Sequence, residues 1–317
     1  MIIDLHNHYI PEKIARAYGA APGKAITITE GGVPKRRIGD SHYLLEKRLG
    51  DMDEAGIARQ LLSCPIGWQG SPEECRSVND SLREVQNQYP ERFNGLASIP
   101  IGYAEGEVIS EIHRSLDELK LKGFTIIAQP GGMPMDDQRL WPIYKEIEDS
   151  GAGVFIHPSP IPPGFDALRG YDLPRVIGRE FELVTAISRV IYGKVLDRFP
   201  KIKLVFSHFG GGLANLTERT DPKYKPWYEM RALPRDYDAY LKMLYFDTAG
   251  FVGGMRSFRA AYEIFGSANL LFGSDYPMDF IKGEQIKKYV DNLKAFLPDQ
   301  DYQKIMAGNA REVFNLA

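Results

Sequence analysis

The sequence predicts a (β/α)8 barrel, an α/β fold that a single domain would form over residues 1–317. Eight short apolar runs recur along the chain, and segments with helical periodicity separate them. Strands that alternate with helices are typical of a parallel sheet, and a count of eight matches a barrel. A doubly wound open sheet is the alternative, but it would need a glycine-rich loop after the first strand, where His6-Asn7-His8 stands instead.

The apolar runs and the periodic segments give the order of the elements. The eight predicted strands are Ile2–His8, Ala58–Cys64, Phe93–Ile99, Phe124–Ala128, Val154–His157, Leu204–His208, Leu244–Thr248 and Leu270–Asp275. The predicted helices are Tyr43–Glu54, Glu73–Tyr89, Glu105–Leu121, Leu140–Ser150, Arg175–Phe199, Arg235–Met243, Met255–Phe265 and Gly283–Phe296, with a closing pair at Asp299–Ala307 and Asn309–Asn315. Ser71-Pro72 marks the start of one helix, and Gly56 and Gly151 mark the ends of two others.

Three insertions, after strands one, five and six, are too long for bare turns: Tyr9–Ser41, Pro158–Pro174 and Thr220–Pro234. In the first, Ala25–Thr29 and Val33–Ile38 flank a glycine pair and predict a hairpin. Because each insertion follows a strand, we expect all three to form walls above the carboxyl ends of the strands.

Composition excludes several classes of partner. The net charge is −3 and no block of like charges occurs, so we expect neither nucleic acid nor an anionic membrane as a partner. No apolar run approaches the roughly 20 residues that cross a bilayer. The chain opens without a signal-peptide pattern, and its two cysteines, Cys64 and Cys75, form no motif, so a cytoplasmic location is expected. Cys64 is expected to be a small buried thiol.

Polar residues at strand ends predict a metal centre. His6 and His8 end strand one, His157 ends strand five and Asp275 ends strand eight. Residues i and i+2 of a strand share a side, so His6 and His8 point together into the barrel mouth, with Leu5 facing the helices. Imidazole and carboxylate groups bind divalent ions. Each histidine alone is as well explained as a core or surface group, but the joint placement favours one metal ion held by these four residues.

His208 follows strand six and precedes three glycines. A histidine beside a metal can act as general acid or base, since its pKa lies near working pH, although His208 could instead be a fifth ligand or support one. Asp275 is a second catalytic candidate because its other oxygen could move a proton. His42 and His113 lie away from strand ends and are expected at the surface, and Asp4 is expected to be structural.

Together these motifs resemble a known family. The resemblance rests on His6-x-His8, Phe155-Ile156-His157-Pro158, Phe206-Ser207-His208-Phe209-Gly210-Gly211 and Phe272-Gly273-Ser274-Asp275-Tyr276-Pro277. The sequence is similar to the amidohydrolase superfamily, in particular to the branch of α-amino-β-carboxymuconate-ε-semialdehyde decarboxylase. The resemblance implies a barrel with one divalent ion on His6, His8, His157 and Asp275, and a proton-transfer role for His208. The His-x-His pair favours zinc; relatives with Glu-x-His favour manganese, which stays possible.

The resemblance also implies how a carboxylate substrate is bound. Members of this branch use one arginine from an early loop and one from the neighbouring subunit of a dimer. Arg36 or Arg37 matches the first, and Arg231 in a homodimer matches the second. Trp68, Phe165 and Trp227 are expected to wall a planar substrate. The segment Arg179-Glu180-Phe181 departs from the pattern of the semialdehyde decarboxylase.

The predicted function is that of a metal-dependent decarboxylase, a carbon–carbon lyase, acting on a small unsaturated or aromatic carboxylate. A hydrolase or hydratase that acts on a small amide, lactone or unsaturated acid through the same ligands is the first alternative. A barrel without activity that serves as a binding module is the second, and the complete set of strand-end residues argues against it.

Overall fold

The structure of the protein, a computed structural model, describes residues 1–30, 33–162, 168, 170–224 and 232–316. Its strands are β1 (Ile3–Asp4), β2 (Ile26–Glu30), β3 (Val33–Ile38), β4 (Arg59–Leu62), β5 (Phe93–Gly95), β6 (Ala97–Ser98), β7 (Gly123–Ile127), β8 (Gly153–His157), β9 (Lys203–Phe206), β10 (Tyr245–Asp247) and β11 (Leu270–Leu271). Its helices are α1 (Glu12–Ala17), α2 (Asp40–Tyr43), α3 (Leu45–Ala55), α4 (Pro72–Gln88), α5 (Glu105–His113), α6 (Trp141–Ser150), α7 (Arg179–Tyr192), α8 (Val195–Arg198), α9 (His208–Gly212), α10 (Thr217–Thr220), α11 (Tyr237–Leu241), α12 (Met255–Phe265), α13 (Gly283–Phe296), α14 (Asp299–Gln303) and α15 (Asn309–Val313).

The parallel strands close into a ring. β1, β4 and β5 pair in that order, and a second sheet runs from β11 through β10, β9, β8 and β7 to β6. β5 and β6 belong to one extended run, so this run joins the two sheets on one side. On the other side, the Leu5 N–H donates to the Phe272 carbonyl at 3.0 Å, and Asn7 forms a parallel β-bridge with Tyr276. The ring therefore contains eight strand positions, as predicted for a (β/α)8 barrel.

Several helices follow their local signals closely. α12 and α13 have the bounds that periodicity predicts. α4 begins with a capping box, in which the Ser71 hydroxyl accepts from the Glu74 N–H and the Glu74 carboxylate accepts from the Ser71 N–H. α3 ends at Gly56, whose φ of 73° is a left-handed conformation that glycine adopts without steric cost.

The helix predicted over Arg175–Phe199 is not continuous. A π-helical turn at Pro174–Gly178 precedes α7, and α7 and α8 are separated at Lys194, which has φ 59°. The two helices pack on one surface, so hydrophobic periodicity continues across the break and hides it in the sequence. The predicted hairpin in the first insertion is confirmed, with β2 and β3 antiparallel and Ile26 opposite Ile38. Parts of the second and third insertions lie outside the described residues.

An inner cluster of side chains fills the barrel. Its members come from strands around the ring and from the C-terminal segment: Ile3, Leu5, Leu61, Leu96, Phe155, Val205, Leu271, Ala307, Ala310, Val313, Phe314 and Leu316. Leu5 is thus inside the barrel, and the expectation that it faces the helices is wrong. Asp4 instead accepts hydrogen bonds from Gln60 and Ser274, which supports its structural role. Strict alternation fails because the chain leaves regular strand geometry after Asp4.

A second, larger apolar cluster lies between the strands and the helices and includes Val78, Leu82, Phe246 and Phe258. Cys64 belongs to this cluster, as expected for a buried thiol, and burial raises its pKa to about 11. Within the described residues, no helix is long and apolar enough to span a bilayer.

Candidate metal centre and substrate pocket

Five polar side chains converge at the carboxyl ends of the barrel strands. His6 and His8 follow β1, His157 ends β8, His208 follows β9 and Asp275 follows β11. Each of these residues is at most 7% exposed. The ring centre of His6 lies 5.1 Å from those of His8 and His157 and 5.3 Å from that of His208. His8 Nε2 is 2.7 Å and His6 Nε2 is 3.4 Å from Asp275 Oδ1.

The donor atoms of this cluster suit a divalent cation. His6 Nε2, His8 Nδ1 and His208 Nε2 are buried and have no hydrogen-bond partner among the described residues. Such atoms are uncommon in folded proteins and call for a partner such as an ion. Potential ligand atoms of His6, His8 and Asp275 lie within 4.8 Å of one another, as do those of His6, His157 and His208. Nitrogen and oxygen donors of zinc at about 2.0–2.1 Å from the ion fit within such a span.

The charges of the cluster also favour a cation. Burial opposes protonation of His6, yet the carboxylates of Asp247 and Asp275 outweigh it and raise the pKa of His6 to about 10. Burial lowers the pKa of His8 to about 4 and that of His157 well below its usual range. Protonated His6 therefore supplies positive charge opposite the buried carboxylates of Asp247 and Asp275. A bound metal ion would supply that positive charge and leave His6 neutral and able to coordinate.

Asp247 supports the cluster, although sequence reasoning did not single it out. Its Oδ2 lies 2.6 Å from His6 Nδ1, and its Oδ1 accepts from the backbone N–H groups of His208 and Ala249 at 2.9 Å. A carboxylate on the far nitrogen of a ligand histidine fixes its tautomer and orientation. The signal was present, because Asp247 ends an apolar run in the same way as His157 does.

Glu180 positions His208. Glu180 Oε1 lies 2.9 Å from His208 Nδ1, while His208 Nε2 lies 3.9 Å from Asp275 Oδ2. Burial opposes protonation of His208, but the negative charge of Glu180 raises its pKa overall. His208 has φ 54°, and a Cβ on Gly250 would lie 2.3 Å from its ring, so a residue larger than glycine at position 250 would displace the imidazole. Glu180 lies on α7, away from any strand end, so the strand-end rule could not find it.

Arg48 anchors the end of β1. This fully buried arginine of α3 donates to the carbonyl of His8 at 2.5 Å, to Asn7 Oδ1 at 3.1 Å and to Gln60 Oε1 at 3.0 Å. Its guanidinium also lies 4.9 Å from the ring centre of Tyr276. The segment that carries His6 and His8 is therefore held from the helix layer by a residue that looks like an ordinary surface position in the sequence.

A pocket opens above the cluster, and it contains three of the predicted substrate-binding residues. His8, His157 and Asp275 form part of its floor, and Arg36, Arg37, Trp68 and Arg179 line it as well. The Trp68 ring centre is 4.2 Å from that of His157, and Trp68 is buried. Arg36 and Arg37 come from β3 of the hairpin. Arg231, Phe165 and Trp227 lie outside the described residues.

The two remaining histidines differ in their surroundings. His113 is exposed and lies 3.2 Å from a Glu146 oxygen, which confirms its expected surface position. The same expectation is wrong for His42, which is 8% exposed and lines the pocket. Its Nδ1 accepts the Gly39 N–H at 3.2 Å, and burial lowers its pKa to about 3. His42 lies among groups from distant parts of the chain, such as His8, and such packing leaves no local mark in the sequence.

Comparison with known proteins agrees with the fold and the site. Residues 3–316 match the profile of a protein family described as amidohydrolase. The chain belongs to the amidohydrolase family. Within this family, it is 28% identical to the 2-amino-3-carboxymuconate-6-semialdehyde decarboxylase of Dictyostelium discoideum, over 99% of this chain and 91% of that protein. The resemblance stated from the motifs is thereby confirmed.

Solved structures share the fold. The 5-carboxyvanillate decarboxylase of Sphingomonas paucimobilis superposes with a TM-score of 0.81 at 22% identity, over 100% of this chain and 99% of that one. The dihydroxybenzoic acid decarboxylase of Polaromonas sp. JS666, with bound manganese and the inhibitor 2-nitroresorcinol, gives 0.80 at 23% identity, over 99% and 97%. These similarities confirm the barrel prediction, and the relatives are decarboxylases, as the predicted function expects.

Proposed function

We propose that the protein is a metal-dependent decarboxylase that removes carbon dioxide from a small unsaturated or aromatic carboxylate. The observation that carries this proposal is the buried cluster of four histidines and Asp275 beneath a pocket with arginine and tryptophan walls. Decarboxylase relatives that align with nearly the whole chain support it. The whole chain, residues 1–317, would act as one catalytic barrel domain in the cytoplasm.

His6, His8, His157 and Asp275 would hold one divalent ion. The His-x-His pair favours zinc, while the manganese bound in the Polaromonas enzyme keeps that ion as the alternative. When bound, the ion supplies Lewis-acid chemistry, which polarises a substrate oxygen and offsets developing negative charge. The second imidazole nitrogens of His6 and His157 face Asp247 and the Pro158 carbonyl, respectively, which orients both rings towards the centre.

His208 is the proposed proton-transfer residue. Loss of carbon dioxide replaces a carbon–carbon bond with a carbon–hydrogen bond, so a proton must reach the substrate carbon. Glu180 forms a hydrogen bond with Nδ1 of His208, so Nε2 of the same ring faces Asp275. His208 Nε2 would donate this proton to the substrate carbon and would be reprotonated from solvent, while the ionised Asp275, with Oδ2 at 3.9 Å, would favour the protonated imidazole.

The pocket walls would select the substrate. Arg36 or Arg37 would bind a carboxylate, and Trp68 would contact the planar part of the molecule. In a homodimer, the partner subunit's Arg231 would complete the site. The relatives act on unsaturated or aromatic acids by name, which agrees with a substrate of this class.

The test combines metal analysis with product analysis. Elemental mass spectrometry of the purified protein should find about one zinc or manganese ion per chain, as one cluster of four ligands requires. The same protein should release carbon dioxide from a member of a panel of hydroxybenzoates and muconate-type acids. Hydrolysis or hydration without carbon dioxide release would contradict the decarboxylase and support the hydrolase alternative. Metal-free protein that cannot be loaded would contradict the metal centre itself.

A further inference from the structure

Arg179 is a pocket cation that forms no ion pair with any of the described residues. It begins α7, and its Nη2 donates to the Pro160 carbonyl at 2.9 Å. Its Nε is buried and has no hydrogen-bond partner, and no carboxylate of the described residues lies within ion-pair distance of its guanidinium. The neighbouring arginines differ, because Arg175 pairs with Asp172 at 2.7 Å and Arg189 pairs with Asp136 at 2.5 Å.

Arg179 lies in the wall of the pocket, beside the metal cluster. It lines the same cavity as Trp68, His157 and Asp275. Burial lowers the pKa of Arg179, and its positive charge in turn contributes to the lowered pKa values of His8 and His157. A partly desolvated guanidinium is costly unless an anion compensates it. The chain thus maintains a cation at the pocket wall at some expense to stability.

Asp275 does not fill the role of this missing anion. Its Oδ1 contacts His8 Nε2 at 2.7 Å, and its Oδ2 is on the His208 side at 3.9 Å from Nε2. As a metal ligand, it would share its charge with the ion. Glu180, the next residue along α7, places Oε1 on His208 Nδ1 and forms no ion pair with Arg179. Asp275, Glu180 and Asp172 act on Arg179 only at longer range, so within the described residues its guanidinium is left able to pair with an anion that a ligand brings.

We propose that Arg179 is the receptor for an anionic oxygen group of the substrate that remains in the product. The inference rests on the proposed function, since it assumes that this pocket receives the substrate. A guanidinium paired with the departing carboxylate would stabilise a charge that disappears as carbon dioxide forms, and this would raise the barrier. Pairing with a second, retained anionic group gives binding energy without that penalty. The substrate class is thus a planar acid with two anionic groups.

The planar guanidinium suits this role. It offers a fork of N–H donors that matches the two oxygens of a carboxylate, and its charge is kept over the whole working pH range. Trp68 lines the same pocket, so a flat ring or conjugated chain could lie against it while one anionic end reaches Arg179 and the other reaches the metal cluster.

The experiment uses two probes of matched shape and the zinc-loaded full-length protein. Benzene-1,3-dicarboxylate carries two carboxylates, and its monoamide carries one carboxylate and one neutral amide. Dissociation constants for both would be measured by titration calorimetry for the wild type, Arg179→Met and Arg179→Lys. Arg189→Met is the matched control, because it removes an arginine that is ion-paired on the same helix, away from the pocket. Zinc content is measured for every variant.

Arg179→Met should weaken binding of the dicarboxylate about 10- to 100-fold, the range of a charge-assisted hydrogen-bonded pair, and that of the monoamide less than about threefold. Arg179→Lys keeps the charge without the fork, so we expect a loss of a few-fold for the dicarboxylate alone. Arg189→Met should change neither affinity. If Arg179→Met fails to fold, the lysine variant alone decides.

Equal losses for both probes would overturn the proposal, because they would show that Arg179 shapes the pocket and does not bind charge. Unchanged dicarboxylate affinity, or failure of the wild type to bind the dicarboxylate, would overturn it as well. Charge-selective loss in a protein that releases no carbon dioxide from any acid would leave the anion site standing and contradict the decarboxylase. If Arg179→Met releases carbon dioxide with the KM of the wild type, the decarboxylase would stand and the role of Arg179 in binding the anion would be contradicted.

Discussion

Three of the four histidines of the cluster use Nδ1 for a hydrogen bond that orients the ring. His6, His157 and His208 direct Nδ1 to Asp247, to the Pro158 carbonyl and to Glu180, respectively. Nε2 of His6 and of His208 has no protein hydrogen bond among the described residues. Because the partner on Nδ1 sets tautomer and ring orientation, the chemistry of each histidine depends on a residue that never reaches the substrate.

The proposed roles predict that substitution of His157 removes the metal ion, whereas substitution of His208 removes activity and leaves the metal ion bound. His208→Ala should keep its metal ion and lose about 10²- to 10⁴-fold in kcat, the usual contribution of a general acid or base. His157→Ala should lose metal occupancy, since it removes one of four proposed ligands. Elemental mass spectrometry and carbon dioxide release measure the two quantities in parallel. Full metal occupancy in His157→Ala would refute its assignment as a ligand.

Glu180→Gln tests the positioning of His208. Glutamine keeps the shape and a hydrogen-bonding oxygen but removes the charge that raises the pKa of His208. We expect kcat to fall about 10- to 100-fold, as for other partners of active-site histidines, with little change in KM or metal content. His208 would lose its proton at lower pH, so the alkaline decline of kcat should begin at lower pH. A pH–kcat profile with an unmoved alkaline limb would argue against this role.

At the scale of elements, the first insertion is part of the active site. β3 brings Arg36 and Arg37 to the pocket, and α2 brings His42 there. The next helix, α3, supplies Arg48, which fixes the backbone that carries His8. The insertion thus shapes the pocket, while α2 and α3, which follow it, add His42 to the wall and hold the backbone of the metal ligands.

His42 predicts how stability depends on pH. Its folded-state pKa of about 3 lies far below the usual histidine value of 6.5, because burial disfavours the charged form. Between these two values the unfolded chain binds a proton that the folded chain does not, so stability falls as pH decreases through this window. Over this pH window, the difference in proton binding at His42 lowers the free energy of unfolding by about 1 kcal/mol for each pH unit of acidification.

Urea unfolding of the wild type and of His42→Asn measures this contribution. Asparagine retains an acceptor for the Gly39 N–H and does not titrate in this range. The wild type should lose stability between pH 6 and pH 4.5 more steeply than the variant, by about 1 kcal/mol per pH unit. Parallel slopes would show that His42 is protonated normally in the folded state.

How far the sequence predicts each element depends on how local its signals are. α12 and α13 have periodic apolar faces and sharp ends, and the sequence predicts both completely. The break between α7 and α8 depends on the left-handed conformation of Lys194, a residue type that carries no such signal. The inward turn of both Leu5 and His6 likewise depends on the barrel mouth, because regular alternation would place only one of them inside.

For the whole molecule, the metal centre joins the two ends of the chain. β1 lies beside the segment after β11, so His6 and His8 meet Asp275 across the seam where the ring closes. A metal ion bound there would connect three strands of the closed barrel and would bind the folded state only. Metal binding and barrel closure are therefore expected to be coupled thermodynamically.

Metal loading should accordingly raise the thermal stability of the protein. Zinc at about 100 to 1,000 times its dissociation constant contributes about 3–4 kcal/mol to the folded state, which corresponds to a rise in Tm of about 4–6 °C in a protein of this size. Differential scanning calorimetry of chelator-treated and zinc-loaded protein measures the shift. His8→Ala should show little of it, and a full shift in that variant would place the stabilising metal elsewhere.

The sequence by itself determined the barrel and the five polar residues at its mouth. Both follow from local rules, since apolar runs specify strands and the carboxyl ends of parallel strands converge. Only the tertiary structure revealed Asp247 beside His6, Glu180 beside His208 and the buried Nε of Arg179, which has no hydrogen-bond partner among the described residues. The physical reason is separation along the chain: His6 and Asp247 are 241 residues apart, and His208 and Glu180 are 28 apart. Such pairs form only once the folded barrel brings distant side chains together.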